Sequence, residues 1–278
     1  MPGPGDDPSE RDLLVDGVRV FVRSTPGEGE PTVFVHGHPT SSADWLPFME
    51  RLQGPAIAPD LPGWGRSERP GPSRLDTSML GLGAFFERFL EAAAIGSYRL
   101  VCHDWGVVSL IAAQAHPERL GGLVVINGVP LLPGYRWHWI ARYAWRRRLL
   151  GELANATTTK AVLRLISRQA SAAPGAMAPE FIDAGWETWP RGTWPQALRL
   201  YRSAHPDALA RAGANLARIA CPALVVWGLG DPYLPAEFGR AFAQRLPDAE
   251  LLEVADAGHW PWIDQPSVVG SVTAFLEA

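Results

Sequence analysis

The chain has 278 residues, of which 47% are hydrophobic and 19% charged, and its formal net charge is −4. This composition is typical of a soluble globular domain and excludes a disordered chain. The small net charge gives the whole chain no electrostatic reason to take nucleic acid or an anionic membrane as its main partner. The length suits one α/β core with an inserted segment.

The N-terminal region, residues 1–16, is acidic and rich in proline and glycine, without the basic-then-apolar pattern of a secretory signal. We expect about the first ten residues to form a loose tail. The two cysteines, Cys102 and Cys221, have neither metal-ligand spacing nor a CxxC pair, and we expect buried free thiols. These features, with no apolar run of the roughly 18 residues that span a bilayer, predict a cytoplasmic protein.

Short apolar runs alternate with amphipathic stretches, which predicts a mostly parallel sheet covered by helices. The predicted strands are Val18–Val22, Thr32–Val35, Ala56–Ala58, Tyr98–Cys102, Leu123–Ile126, Ala223–Trp227 and Glu250–Val254. The predicted helices are Ser42–Leu52, Thr77–Ala94, Gly106–His116, Ala236–Leu246 and Pro266–Leu276. Several strands run into polar or glycine-rich turns, and in open α/β sheets the ligand site lies at those carboxyl ends.

Residues 131–215 break the alternation and predict a helical cap inserted between two strands. The cap carries six of the twelve tryptophans: Trp137, Trp139, Trp145, Trp186, Trp189 and Trp194. Four prolines, Pro174, Pro179, Pro190 and Pro195, divide it into short pieces. A tryptophan-rich cap predicts a small apolar organic substrate, aromatic or cyclic.

The run from Leu100 to Gly106, LVCHDWG, predicts a strand, a sharp turn with Asp104 at its apex, and a helix. This is the nucleophile elbow, whose usual form is G-x-S-x-G. A carboxylate at the apex is already charged and displaces a leaving group at a saturated carbon, which forms an alkyl ester of the enzyme. Water then attacks that ester, with a general base and an oxyanion hole to assist.

The remaining groups follow in the chain order expected for this scaffold, which is nucleophile, acid, histidine. Asp231, after the strand ending at Trp227, is the predicted acid, and His259, after the last strand, is the predicted base. Asp256 is a competing acid but lies only three residues before the histidine. The backbone N–H groups of His38 and Trp105 are the predicted oxyanion hole, with a cis bond before Pro39 aiming the His38 amide inward.

The motifs HGHP, DLPGWGRS, HDWG, WGLGDPYLP and DAGHWPW resemble the α/β-hydrolase superfamily, and the HDWG elbow resembles its epoxide hydrolases and haloalkane dehalogenases. The resemblance implies a core of residues 1–130 and 216–278 around the cap of residues 131–215. It covers residues 17–130 and 216–278 well and the cap weakly.

The resemblance also implies how the leaving atom is stabilised. In epoxide hydrolases two cap tyrosines protonate the leaving oxygen, and Tyr201 and Tyr143 are the candidates here, with Trp105 as a further leaving-group or substrate contact. In haloalkane dehalogenases tryptophan N–H groups, or a tryptophan and an asparagine, hold the halide; one common subgroup has asparagine where this chain has His38. Fluoroacetate-type dehalogenases carry arginines just after the nucleophile, where this chain has Trp105, Val107 and Val108.

We therefore expect an enzyme, an epoxide hydrolase in preference to a haloalkane dehalogenase. Another ester or lactone hydrolase, or a cofactor-free reaction, is a further alternative, and a non-catalytic binding protein is the least favoured. The sequence has no metal-ligand cluster, no GxGxxG and no P-loop, so we expect no cofactor and no metal. The oligomeric state is left open.

Overall fold

A computed structural model describes residues 8–172, 186 and 193–278. One eight-stranded sheet has the order β1-β2-β4-β3-β5-β6-β7-β8. Its strands are β1 Ser9–Val15, β2 Val18–Thr25, β3 Thr32–Val35, β4 Ala56–Pro59, β5 Tyr98–Asp104, β6 Leu120–Gly128, β7 Ala223–Gly228 and β8 Ala249–Val254. Strand β2 is antiparallel to both β1 and β4, and every other pairing is parallel. The α/β fold with a mostly parallel sheet is therefore confirmed.

The described α-helices lie between these strands and after the last one. They are α1 Leu46–Met49, α2 Met79–Ala92, α3 Ser109–Ala115, α4 Leu150–Thr157, α5 Lys160–Ser167, α6 Thr193–Ser203, α7 Pro206–Ala212, α8 Ala236–Arg245, α9 Pro261–Asp264 and α10 Ser267–Glu277. Short 3₁₀ segments, Ser42–Trp45 and Trp105–Val108, precede α1 and α3, and a π-helical turn covers Ala141–Trp145. None of the helices in the described part of the chain is long and apolar enough to cross a bilayer.

The central strands are apolar on both faces because each face is covered. In β3 the side chains of Val33 and Val35 belong to one buried cluster, and that of Phe34 belongs to the cluster on the other face. Strand β5 repeats the pattern, with Leu100 on the first side and Val101 on the second. Successive side chains of a strand point to opposite faces, so a sheet covered on both sides needs continuous apolar runs. Those runs made the central strands predictable.

The first strand corrects the prediction for the N-terminus. Residues from Ser9 onward do not belong to a loose tail, because Ser9–Val15 pairs along its whole length with β2. Only Val15 of this strand is buried. Backbone pairing along the sheet edge, rather than an apolar face, therefore builds β1, and the sequence carries no alternating pattern to reveal it.

Between β6 and β7 the described residues form helices and turns and no strand. Pro195 lies in the first turn of α6, where proline is tolerated. Pro174, Pro179, Pro190 and Trp189 lie outside the described residues, as does the side chain of Trp194. The cap boundaries at 131 and 215 stay a prediction.

The close packing of the elbow against β3 generates a test of the fold. A Cβ on Gly106 would collide with the backbone carbonyl oxygen of Val35, whereas Gly54 faces open space. We expect Gly106→Ala to lower the free energy of unfolding by about 1–3 kcal/mol, the usual cost of overpacking, in urea titrations followed by circular dichroism. The control Gly54→Ala leaves it nearly unchanged. Equal stability of both variants would contradict the tight elbow.

Candidate active site

Asp104 lies at the apex of a strained turn between β5 and the 3₁₀ segment that leads into α3. Its backbone has φ 50° and ψ −118°, a left-handed conformation that few non-glycine residues adopt. Its carboxylate packs so closely on Gly37 that a Cβ there would collide with it. Strain of this kind persists where the surrounding structure enforces it, which is common at functional sites. The elbow presents one carboxylate, almost buried, at the carboxyl end of the sheet.

His259 lies between Asp104 and Asp231. Its Nε2 is 3.5 Å from Oδ2 of Asp104, an ion-pair distance, and its Nδ1–H donates to Oδ2 of Asp231 at 2.7 Å. The loop after β8 is fixed from two sides. The His259 backbone N–H donates to the Ala170 carbonyl at 2.7 Å, and the His103 Nε2–H donates to the His259 carbonyl at 2.8 Å. The structure therefore brings together the three residues that the sequence singled out.

Asp231 is held by three further donors besides His259. The Asn127 side-chain amide donates to Oδ2 at 2.7 Å, and the backbone N–H groups of Tyr233 and Leu234 donate to Oδ1 at 2.7 and 3.1 Å. Sequence reasoning missed this role of Asn127. The available signal was a polar residue at the end of β6, the neighbour of the strand that leads to the acid. This network orients the carboxylate that in turn orients the imidazole.

The two carboxylates set the charge of the imidazole between them. Burial, the largest single influence, lowers the pKa of His259, but the charge of Asp231 and the contacts of Asp104 outweigh burial and raise the pKa to about 10. Burial likewise raises the pKa of Asp104, and His259 more than compensates, so that the pKa lies below its usual value. In the resting protein Asp104 is a carboxylate and His259 an imidazolium.

His38 contributes through both its backbone and its ring. Its N–H donates to Oδ1 of Asp104 at 2.7 Å, and the predicted cis bond to Pro39 is present. Its Nδ1 accepts a hydrogen bond from the Trp64 indole at 2.9 Å, and burial lowers its pKa to about 4, so the ring is neutral with the proton on Nε2. Within the described residues the backbone N–H of Trp105 forms no hydrogen bond to Asp104. The role of that N–H in the oxyanion hole therefore stays a prediction.

A cavity of 330 Å³ lies over Asp104 and His259. Aromatic and aliphatic side chains from the segment between β6 and β7 form most of its wall. Its lining residues include Tyr135, Trp137, His138, Trp139, Trp145, Val162, Leu163, Tyr201, Tyr233, Leu234 and Trp260. A mostly apolar cavity with a few converging polar groups is typical of a small-molecule site.

The comparisons with known proteins identify the family. Residues 32–271 match the α/β hydrolase family. The chain belongs to it. A cis-3-alkyl-4-alkyloxetan-2-one decarboxylase of Xanthomonas campestris pv. campestris is 27% identical, over 99% of this chain and 98% of that protein. A 2-hydroxymuconate semialdehyde hydrolase of Pseudomonas sp. (strain CF600) is 28% identical, over 96% and 95%.

Solved structures agree with this α/β hydrolase in fold. The epoxide hydrolase CorEH superposes with a TM-score of 0.82 at 18% identity, over 98% of this chain and 99% of that one. The haloalkane dehalogenase DatA from Agrobacterium tumefaciens C58 gives 0.82 at 21%, over 99% and 98%. Likeness at this level of identity shows the fold. With the family match, it confirms the superfamily that the motifs indicated, and the branch that the elbow motif indicated stays a prediction.

Of the two tyrosines that the sequence proposed, this α/β hydrolase brings only Tyr201 to the cavity. The Tyr143 side chain is 56% exposed and does not line the cavity, because the π-helical turn directs it outward beside Arg142. The prediction of Tyr143 as a leaving-group residue is corrected accordingly. Tyr135 and Tyr233 line the cavity instead. Tyr233 lies within the WGLGDPYLP motif, but the motif assigned it no role, and no motif covers Tyr135.

Trp105 also differs from its predicted place. It is fully buried, does not line the cavity, and lies edge-on to Tyr201 with 5.1 Å between ring centroids. Its indole N–H has no hydrogen bond of normal geometry within the described residues. Burial and the charge of Asp104 raise the pKa of Tyr201 well above its usual value, and Trp105 partly opposes them. Trp105 therefore acts on Tyr201 rather than on the cavity.

Tyr201 is fixed by polar contacts around its helix. Arg146 donates to the Tyr201 carbonyl at 3.1 Å, Arg199 donates to the Thr77 hydroxyl at 2.8 Å, and Arg202 pairs with Glu152. These contacts fix α6, the helix that brings Tyr201 to the cavity wall. Among the described residues, no group of three or more His, Cys, Asp or Glu side chains is arranged to hold a metal ion.

The charge balance in this α/β hydrolase generates a prediction for His259. We expect its ring to titrate near pH 10 in wild type and at lower pH in Asp104→Asn, since one of the two stabilising carboxylates is then neutral. NMR of the His259 imidazole measures the titration in both proteins, and the intact mass confirms that the introduced asparagine has not been hydrolysed to aspartate. The control Asp256→Asn, at an exposed carboxylate three residues before His259, leaves the titration unchanged. A wild-type titration below pH 7 would contradict the ion pair.

The same raised pKa has a stability consequence. Because the folded-state value lies above the reference value of 6.5, the imidazolium contributes stability that is complete below pH 6.5. That contribution is lost as the pH rises towards 10.

Proposed function

We propose that the protein is an epoxide hydrolase that opens an apolar epoxide with the Asp104 carboxylate and hydrolyses the resulting ester with water activated by His259. The observation that carries this proposal is the contact of His259 with both Asp104 and Asp231, at 3.5 and 2.7 Å. A nucleophile, a base and an orienting acid in this geometry support a covalent two-step reaction.

In the first step an Asp104 oxygen attacks an epoxide carbon. The carbon–oxygen bond of the ring breaks, and the leaving oxygen takes the proton of Tyr201, which faces the same cavity. The high pKa of Tyr201 keeps the hydroxyl protonated until an alkoxide forms. The product is a hydroxyalkyl ester of Asp104. General acid catalysis of this kind contributes typically 10²–10⁴-fold.

The second step depends on the charge that the first step removes. Esterified Asp104 no longer stabilises the imidazolium, so the pKa of His259 falls and the ring becomes a base when an ester is present. Water gives a proton to Nε2 and attacks the ester carbonyl, whose oxygen receives the His38 N–H. The bond between the ester carbonyl carbon and the diol oxygen breaks, that oxygen takes the carboxyl proton, and Asp104 returns as a carboxylate. The Nε2 proton that the imidazolium gave up on esterification has restored Tyr201, and the proton taken from water leaves His259 an imidazolium again. The net reaction is epoxide plus water to diol.

The described residues support an oxygen leaving group better than a halide. A halide is held by two weak N–H donors, as the resemblance implies, yet Trp105 does not line the cavity. The indole of Trp137 donates instead to the Ala204 carbonyl at 2.8 Å. Tyr201 supplies the O–H donor that a leaving alkoxide requires. Because α6 carries Tyr201, we also propose that residues 131–215 act as a cap that provides the acid and excludes water.

A β-lactone decarboxylase is the second candidate, since a relative of that name covers nearly the whole chain. The Asp104 carboxylate would attack the saturated ring carbon that bears the ring oxygen, C4. The bond between C4 and that oxygen breaks, so that the ring opens to a carboxylate attached to C3. The bond between that carboxylate and C3 then breaks, its electron pair forms the alkene, and Asp104 leaves unchanged. Carbon dioxide is released and no water is consumed.

Trapping of the ester distinguishes these reactions. In His259→Phe we expect alkylation of Asp104 to continue while hydrolysis stops, because no base activates water. The variant is incubated with epoxides, haloalkanes and cis-3,4-dialkyl-β-lactones, and the Asp104 peptide is analysed by mass. Addition of a whole epoxide supports the proposal, whereas an alkyl group without its halogen shows a dehalogenase. Alkene and carbon dioxide from the lactone alone would favour the second candidate.

Removal of the acid tests the leaving-group assignment. We expect Tyr201→Phe to lower kcat for epoxide opening by about 10²-fold, measured by diol formation. Tyr143→Phe removes the same hydroxyl from an exposed site and serves as the matched control with unchanged kcat. Equal effects of the two substitutions would show that Tyr201 does not protonate the leaving oxygen.

A further inference from the structure

Exposed apolar side chains are concentrated in one part of the described chain. Of its eleven exposed large hydrophobic residues, seven lie between positions 139 and 165. They are Trp139, Tyr143, Leu149, Leu150, Leu153, Val162 and Leu165. Single exposed hydrophobic residues are normal, but a concentration of them in one segment points to an interaction surface.

The same stretch, residues 139–168, is strongly basic. It holds six arginines and Lys160 against one acid, Glu152, which gives +6 where the whole chain has −4, so that the remaining residues carry −10. Glu152 is paired with Arg202, which lies outside the stretch. The net charge of the whole chain, which gave no reason to expect an anionic membrane as partner, therefore conceals a separation of charge. We call residues 139–168 the rim segment.

The rim segment borders the mouth of the cavity. Trp139 and Val162 are both exposed and part of the cavity lining, so they lie where the cavity meets the surface. Helices α4 and α5 line the cavity through Ala154 and Leu163 among others, and both helices also carry exposed leucines. An apolar surface is thus continuous from the outside of the rim into the site.

We propose that the rim segment docks on an anionic lipid bilayer surface and takes apolar substrate from it into the cavity. The exposed leucines and Trp139 enter the region between headgroups and acyl chains. Exposed arginines of the segment contact lipid phosphates; these are Arg142, Arg147, Arg148 and Arg168. Apolar residues beside excess Lys and Arg are the composition of interfacial helices that lie in the membrane surface. This is peripheral docking rather than a transmembrane arrangement.

The charge of the rim segment favours a bilayer over a second copy of the chain. In a twofold dimer through this surface each rim segment would meet its own equivalent. The exposed Arg142, Arg147, Arg148 and Arg168 of one copy would then face those of the other. Like charges in an interface are costly, whereas an anionic bilayer attracts each of them.

Vesicle binding of the full chain tests the docking, and it needs no substrate, so it is independent of the proposed chemistry. We expect the wild type to cosediment with phosphatidylcholine vesicles that contain phosphatidylglycerol and not with phosphatidylcholine alone. Two double variants, Leu149→Asp/Leu153→Asp and Arg147→Glu/Arg148→Glu, should each bind these vesicles at least about tenfold more weakly than the wild type. The matched control is Leu80→Asp, on α2, where the side chain is 58% exposed against 59% for Leu153.

Measurements of folding, turnover and oligomeric state separate lost docking from other effects of the substitutions. Circular dichroism and turnover of a water-soluble substrate should be unchanged in both variants, which separates lost docking from lost folding. Equal binding to neutral and anionic vesicles, or an equal loss in Leu80→Asp, overturns the proposal. The proposal is also overturned if the wild type does not bind vesicles and instead forms a dimer in sedimentation velocity that the rim variants abolish.

Discussion

The placement of one imidazole between two buried carboxylates is the constraint on which the rest of the site depends. Burial alone would leave His259 neutral, and the charges of Asp231 and Asp104 reverse that preference. A buried arrangement of this kind is stable only when every member is paired. The backbone N–H groups on Asp231, the Asn127 amide and the His38 N–H on Asp104 meet that need. Each also orients the group that it stabilises.

The parallel sheet supplies these partners because the carboxyl ends of its strands lie at one edge. Asp104 ends β5, Asn127 is near the end of β6, and Asp231 follows β7. Side chains that are far apart in sequence therefore converge without long excursions of the chain. The loop after β8 then needs only the contacts of His103 and Ala170 to place His259.

Short motifs made the core and the Asp104, Asp231 and His259 geometry predictable, because strand runs and turn residues are local features. The misplaced features depend on packing that no local pattern encodes. Strand β1 has almost no buried side chain, and Tyr143 points outward because a π-helical turn shifts the helical phase by one residue. Composition likewise averages over the chain, so it could not reveal the basic, apolar rim segment.

The balance of charge between His259 and its two carboxylates also explains how one scaffold accommodates different nucleophiles. A serine at the apex would need a neutral imidazole as its base. Replacing the carboxylate with serine removes one of the charges that raise the pKa of His259, so the ring would move towards the neutral form that serine requires. With a carboxylate in place, the same ring is an imidazolium, and in the proposed reaction it stays so until an ester removes the charge of Asp104. In the proposed reaction the identity of residue 104 thus sets both the attacking atom and the protonation state of His259, while Asp231 and the sheet stay as they are.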